Sequence, residues 1–341
     1  MKKNVLLILF TLFFGFAFAQ SADYINEQYE ALDQEEKYEE IISSIRSGDE
    51  ASYSAYDYFY LGLAYFRMEN DVEAEKYFKI AIQKDPEYFR AYDYLAGCSY
   101  FSGKYDETIL YCKKCIELDA SFPRPYKMIA FAYEKIDDLP AAVENFSKYY
   151  DLEEDPISLY HIAYDLFEME DYKKARSYTE KYLKQDKNSF YVNNLMIMIL
   201  YADGDYKAAA KYEKILRKIW ENSDDPEIKD QRFFMIHSFP YKEYYVEVYE
   251  KFRQDEDFYY PLTCNVVLGD KVIKSVNLEY DAYTKELSGW AYFIGIDEVE
   301  TKTHYTSDVW FKKSPKFTEF IKYVKMALDG ELEFVSSSTH N

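Results

Sequence analysis

The chain is expected to be mainly α-helical. It reads as an α-solenoid of about five helical hairpins with a degenerate one in front, followed by a small α+β domain with an antiparallel sheet and one C-terminal helix. Three observations carry this expectation. The stretch Tyr58-Phe59-Tyr60-Leu61-Gly62-Leu63-Ala64-Tyr65, with Ala74, Phe78, Ala81 and Pro86 after it, places one apolar face on each of two successive helices. Its spacing recurs in phase along residues 55–223, so that Asp171-Tyr172-Lys173-Lys174-Ala175 returns 34 residues later as Asp205-Tyr206-Lys207-Ala208-Ala209. From Tyr241 onward the apolar period drops to two, with Val, Ile, Thr and Tyr enriched, as strands require.

At the N-terminus, Lys2-Lys3 precedes an apolar run from Val5 to Ala19 that ends Ala17-Phe18-Ala19. A short basic segment, a short apolar core and a small-x-small end describe a cleavable secretory signal, residues 1–19. The run is shorter than the roughly 20 residues a spanning helix needs. The chain is therefore expected to be exported, periplasmic or secreted in a bacterium, and cut after Ala19. No Cys follows the cut, which argues against lipid attachment, and no second segment is apolar enough to span. Loss of Lys2 and Lys3 would take the formal charge from -21 to -23. So acidic a chain repels phosphate backbones, which excludes nucleic acid as a favoured partner.

Residues 22–47 read as the imperfect first hairpin, with Ile41 and Ile45 inward. The unit at 55–88 is the best formed: Leu61, Gly62 and Tyr65 share one helix face, Ala74, Phe78 and Ala81 another, and Pro86 closes it. Unit 89–122 keeps Tyr92, Leu95 and Ala96 but carries Thr108, Cys112 and Cys115 at the second-helix positions. Unit 123–155 carries Ile129, Ala130, Tyr133, Ala142 and Phe146, with Pro140 in the first turn of a helix. Unit 156–189 is one residue out of step. In unit 190–223 the run Leu195 to Leu200 is apolar nearly all round, which implies cover on both sides.

Residues 224–240 read as an acidic linker with a capping helix at 227–237. The candidate strands are 242–251, 258–267, 271–280, 288–296 and 301–311, with a hairpin turn at Gly269-Asp270; the first could instead be helical, since Tyr244, Val248 and Phe252 also fit one helix face. Ser314 opens an amphipathic helix to Leu328 with Phe317, Phe320, Ile321, Val324 and Leu328 on one stripe. A domain over 241–330 and a disordered tail at 331–341 complete the layout.

The offsets of aromatic, Leu-Gly, Tyr, Ala, Phe, Ala and Pro over 58–86, with their in-phase returns, resemble the tetratricopeptide repeat (TPR) family. The terminal segment resembles no family. The resemblance implies a superhelix whose concave groove holds a protein segment. Carried over residue by residue, groove positions are Tyr56, Phe59, Phe66 and Arg67; Arg90, Asp93, Gly97, Tyr100 and Phe101; Arg124, Lys127, Phe131, Glu134 and Lys135; Tyr160, Tyr164 and Phe167; and Tyr191, Asn194, Met198 and Tyr201. Aromatics with a central Arg/Lys patch suit a protein partner, because such side chains dominate interface energetics. Helix-to-helix packing of the same rings is the competing reading. The Lys/Asn carboxylate clamp of some family members is missing, since Arg90, Asp93 and Gly97 occupy its places.

No GxSxG, HExxH, P-loop, GxGxxG or CxxC pattern occurs, so no enzyme and no cofactor are expected. Cys264 and His304 on different strands could form a nucleophile pair, but a structural Cys and a surface His are favoured. Asp297, Glu298 and Glu300 read as a solvated loop. An exported chain permits a disulfide from Cys98 to Cys112 or Cys115. All three sit at packing positions, and small buried thiols are favoured. Two functions follow: a non-catalytic envelope scaffold that binds a protein segment in the groove, or a glycan- or small-ligand-binding terminal domain using Trp290, Tyr292 and Trp310, with the repeats as a targeting arm.

Overall fold

The computed structural model describes residues 27–231, 233–242, 244–252, 262–268, 271–280, 286–294, 300–310 and 317–329, with the strands between 271 and 310 described by their backbone pairing. The proposed signal at 1–19 and the tail at 331–341 lie outside these residues, as do Gly269, Asp270, Asp297 and Glu298. Two compact units are present, one through Asp165 and one from Leu166, and the division falls inside a helix.

Helical hairpins follow in the order expected: α1 (27–34) and α2 (Tyr38–Arg46), α3 (Ala55–Arg67) and α4 (Asp71–Lys84), α5 (Phe89–Phe101) and α6 (Tyr105–Leu118), α7 (Arg124–Lys135) and α8 (Leu139–Glu153), α9 (Pro156–Glu168) and α10 (Tyr172–Leu183), α11 (Phe190–Ala202) and α12 (Tyr206–Asn222). Each pair turns by the same device. Glu36, Glu69, Gly103, Asp137, Glu170 and Gly204 all take positive φ, between 58° and 78°. The amide that follows each of them bonds a carbonyl five residues back, as from Asn70 to Tyr65 at 2.9 Å and from Asp205 to Leu200 at 2.8 Å. The side chain of that following residue then caps the next helix where it is Asn70, Asp138, Asp171 or Asp205.

In the first unit the core lies where the repeat pattern places it. Leu61, Ala64, Ala74, Phe78 and Ala81 are buried, and a Cβ on Gly62 would stand 2.6 Å from the Phe78 ring. The two helices of this hairpin therefore meet as closely as glycine permits. Thr108, Cys112 and Cys115 fill the same inward positions of α6. Cys98, Cys112 and Cys115 are unpaired and buried, and burial raises the Cys98 and Cys115 thiols to about 12.

The second unit combines the last hairpin with a sheet. After one turn of helix, α13 (Pro226–Lys229), come β1 (Phe233–Tyr241), β2 (Tyr244–Lys251), β3 (Leu262–Leu268), β4 (Lys271–Tyr280), β5 (Glu286–Ile294), β6 (Glu300–Trp310) and α14 (Phe317–Asp329). The strands form one antiparallel meander in chain order. Residues 227–237, expected to be helical, divide between α13 and β1, whose alternate side chains Phe234 and Ile236 enter the core. Leu268 pairs with Lys271, as a two-residue connection requires. Leu195 to Leu200 of α11 are buried throughout. One hydrophobic core joins Phe190, Ile197, Leu216 and Trp220 of α11 and α12 to Phe234, Ile236, Val246, Val248, Cys264 and Val266 of the sheet and Val324 of α14. The sheet thus shares its core with the last hairpin, and the expected boundary after residue 223 runs through that core.

Candidate protein-binding cleft

Six of the predicted groove residues, Gly97 among them, come together in the first unit. Tyr100 and Phe101 end α5, and Arg124, Lys127 and Phe131 recur at helical spacing along one face of α7. With Gly97, Pro123, Met128, Tyr149 and Glu153 they line a cleft of about 550 Å³. Phe101 leaves 77% of its surface exposed, an uncommon position for a large ring. Phe131 is held edge-on by Phe146 at 5.1 Å and by His161 at 5.0 Å. His161 stacks on Phe146 and bonds Glu134 Oε1 at 2.9 Å, which fixes the cleft floor.

Two cations stand in this cleft. Arg124 pairs with Asp93 of α5, which is 7% exposed. Burial pushes the Asp93 carboxyl upward and Arg124 opposes it. The Arg124 guanidinium lies beside Gly97, where an added Cβ would stand in ordinary contact with Nη2 at 3.7 Å. Lys127 sits 5.1 Å above the Tyr149 ring and 3.6 Å from Asp155. The lining therefore combines ring faces with positive charge on a strongly acidic chain.

The other predicted positions are used differently. Phe59 is fully buried, packed by Tyr60, Phe78, Tyr88 and Tyr94, and belongs to the core instead of a groove. Arg90 lies 4.7 Å over Phe59 and donates to Glu30 and to the Tyr60 hydroxyl, each at 3.2 Å. Arg67 pairs with Asp33 at 3.3 Å. Tyr56 packs on Tyr60, and Phe66 on Tyr94. The cause is α1: its Tyr29, Glu30 and Asp33 cover this end of the face and consume both cations. Lys135 is exposed and does not line the cleft. Tyr160 and Tyr164 lie side by side along α9 with their rings tilted by 33°, likewise outside the lining.

In the second unit Phe167 is buried, and α11 faces the sheet. Asn194 donates to the Met235 carbonyl at 2.6 Å, Met198 is buried, and Tyr201 packs edge-on against Phe317 of α14 at 4.7 Å. Asn194, Met198 and Tyr201 are therefore covered within the chain, and Tyr191 remains half exposed. Cys264 lies on β3 and His304 on β6, three strands apart, roughly 14 Å in an open sheet, which separates that pair. Trp290, Tyr292 and Trp310 fall on β5 and β6, and their side chains lie outside the described residues.

Tyr149 and Glu153 come from α8, which a reading confined to first helices leaves out. The sequence signal available for them was their four-residue spacing on the second helix.

Tetratricopeptide-repeat family models match residues 55–88 and 158–189. No curated protein sequence matches the chain. Among solved structures, the C-terminal part of a TPR repeat-containing protein from Cytophaga hutchinsonii is 19% identical, covers 57% of this chain and 79% of its own, and has a TM-score of 0.51. MamA is 19% identical over 49% of this chain and 92% of its own, with a TM-score of 0.47. PilF of Pseudomonas aeruginosa is 19% identical over 58% and 90%, with a TM-score of 0.45. No helix among the described residues is long and apolar enough to cross a membrane. The chain thus carries tetratricopeptide repeats matched at two places, with the same hairpin device between and around them.

Proposed function

We propose that the protein is a non-catalytic interaction scaffold of the bacterial cell envelope, and that the cleft between α5, α7 and α8 holds a segment of a partner protein. The tetratricopeptide repeat is a protein-interaction fold. The observation that carries the reading is the exposed Phe101 ring beside Tyr100, Phe131, Arg124 and Lys127 around one cleft. Exposed rings anchor a segment at little entropic cost, and the cations select its charge. Export rests on Lys2-Lys3 and the apolar run to Ala19. A component of an envelope complex is the partner this combination suits.

The test is a capture experiment from envelope extract with the chain from Gln20 onward, beside a variant carrying Tyr100→Ala, Phe101→Ala, Phe131→Ala and Arg124→Ala. Circular dichroism checks that the variant folds. A protein held by the wild type and lost from the variant supports the cleft. Equal capture by both moves the site elsewhere. Capture by neither favours a glycan or small ligand.

A further inference from the structure

At the edge of the shared core of the second unit, two carboxylates lie near one guanidinium, which is bonded to one of them. Glu213 and Arg217 lie one turn apart on α12, and Glu250 enters from β2. Arg217 donates through Nη2 to Glu250 and through Nη1 to the Phe252 carbonyl, with its plane 5.2 Å over the Phe234 ring. The Tyr201 hydroxyl of α11 donates to Glu213 Oε1 at 2.7 Å. Glu250 is 8% exposed, and Leu216, Phe234 and Phe252 pack close by. Lys214, exposed on α12, is the other cation acting on Glu213, and Tyr206 is the other phenol near Tyr201. The strands flanking Glu250 place Phe234 and Leu262 opposite it, and α14 places Phe317 against Tyr201.

With both carboxylates ionised, the Glu213, Arg217 and Glu250 side chains together carry one net negative charge at a largely buried site, offset only by the exposed Lys214, which is costly. One proton makes the group neutral and leaves every one of these hydrogen bonds in place. We propose that Glu213, Arg217, Glu250 and Tyr201 form a proton latch, in which uptake of one proton by the carboxylate pair tightens α12 against the sheet and its release loosens them.

Burial, then the charge of Glu213, raises Glu250 to about 7 against the opposing pull of Arg217, and burial also raises Glu213. A carboxyl raised in the fold stabilises it fully below the ordinary value of 4.5, and this stabilisation is lost as pH rises toward about 7. His237, on β1, acts in the opposite sense. Burial and then Lys325 lower its pKa, so its contribution is present above 6.5 and is lost as pH falls through its lowered value. A comparison of two chains that both carry His237 cancels that effect.

The experiment measures hydrogen-exchange protection of the β1 and β2 amides from about pH 5 to about pH 8, after correction for intrinsic exchange, in the full chain from Gln20 and in its Glu250→Gln variant. Relative to the variant, wild-type protection should fall at least about tenfold across this range. Parallel pH profiles would overturn the latch. A carbon-13 NMR titration of the wild-type Glu carboxyls needs no variant, and settles the matter if Glu250→Gln does not fold. A Glu carboxyl titrating above about pH 6 supports the latch, whereas all of them titrating near about 4.5 overturns it.

Discussion

Gly62 and Arg90 show how single residues settle what the repeat does. A methyl at residue 62 would stand 2.6 Å from the Phe78 ring, which is itself fully buried and cannot swing away. Gly62→Ala should therefore cost about 1–3 kcal/mol by overpacking, read as a lower denaturant midpoint. Arg90 is bound to Glu30, Tyr60 and the Phe59 face, so it acts within the fold. Arg90→Ala should lose about 1–2 kcal/mol of stability and leave partner capture unchanged. Arg124→Glu should reduce capture, and it should also lower the melting temperature, because it sets a second carboxylate against the buried Asp93. Equal loss of capture in both variants would show that the binding face extends to α3. The sequence placed Arg67, Arg90, Arg124 and Lys127 on one groove face, and Arg90 and Arg124, one 34-residue period apart, are equivalent by repeat register. Their different fates come from α1, whose Glu30 and Asp33 lie in a stretch too irregular to show which face it would cover.

The recurring element is the turn between the two helices of each hairpin. Its left-handed residue is Gly in two hairpins and Glu or Asp in the other four. A side chain in that region costs about 1–2 kcal/mol, partly offset by the greater freedom glycine loses on folding. Glu69→Gly and Asp137→Gly should each raise stability by about 0.5–1 kcal/mol, and Gly103→Ala should lower it by about 1 kcal/mol. Asp138→Ala, which removes a cap one residue further on, should cost about 1 kcal/mol. Chemical denaturation of the four variants checks the set. These turns were visible in the sequence as Asp171-Tyr172-Lys173 and Asp205-Tyr206-Lys207, because a 34-residue period repeats the local chemistry with the geometry. Strand β1 was not visible. Phe233-Phe234-Met235-Ile236 is a short apolar run whose period fits helix or strand, and it breaks at a bulge between Met235 and His237. Its partner β2 was expected as a strand at 242–251, with a helix through Tyr244, Val248 and Phe252 as the alternative, and the strand is what forms.

At the scale of the molecule, the division of labour between repeats and sheet is decided by where the core lies. The change from helical to alternating pattern near residue 223 is a change of secondary structure, and the apolar side chains ignore it. Trp220, almost the last residue of α12, stacks on Phe252 beyond β2 at 5.1 Å and donates its indole N–H to the Gln231 carbonyl at 3.0 Å. Ile197 and Leu216 complete a core whose other half is sheet. A chain running from Gln20 to Ser223 would present Phe190, Ile197, Leu216 and Trp220 to water, an apolar area large enough to drive association. Such a chain should keep protected amides in α3 through α8 and lose protection in α11 and α12. It should also elute from gel filtration as aggregate where the full chain does not. The complementary fragment from Asp224 should fail to fold alone, since β1, β2 and β3 would keep α14 but lose α11 and α12 from their inner face. Full protection of α11 and α12 in the shorter chain would mean that the last hairpin is stable by itself and the sheet an added layer. Loss confined to those two helices would make the sheet the terminal cap of the array. Capping repeats elsewhere in such arrays turn a polar face outward, whereas here the cap would be a sheet that takes the last apolar face into its own core.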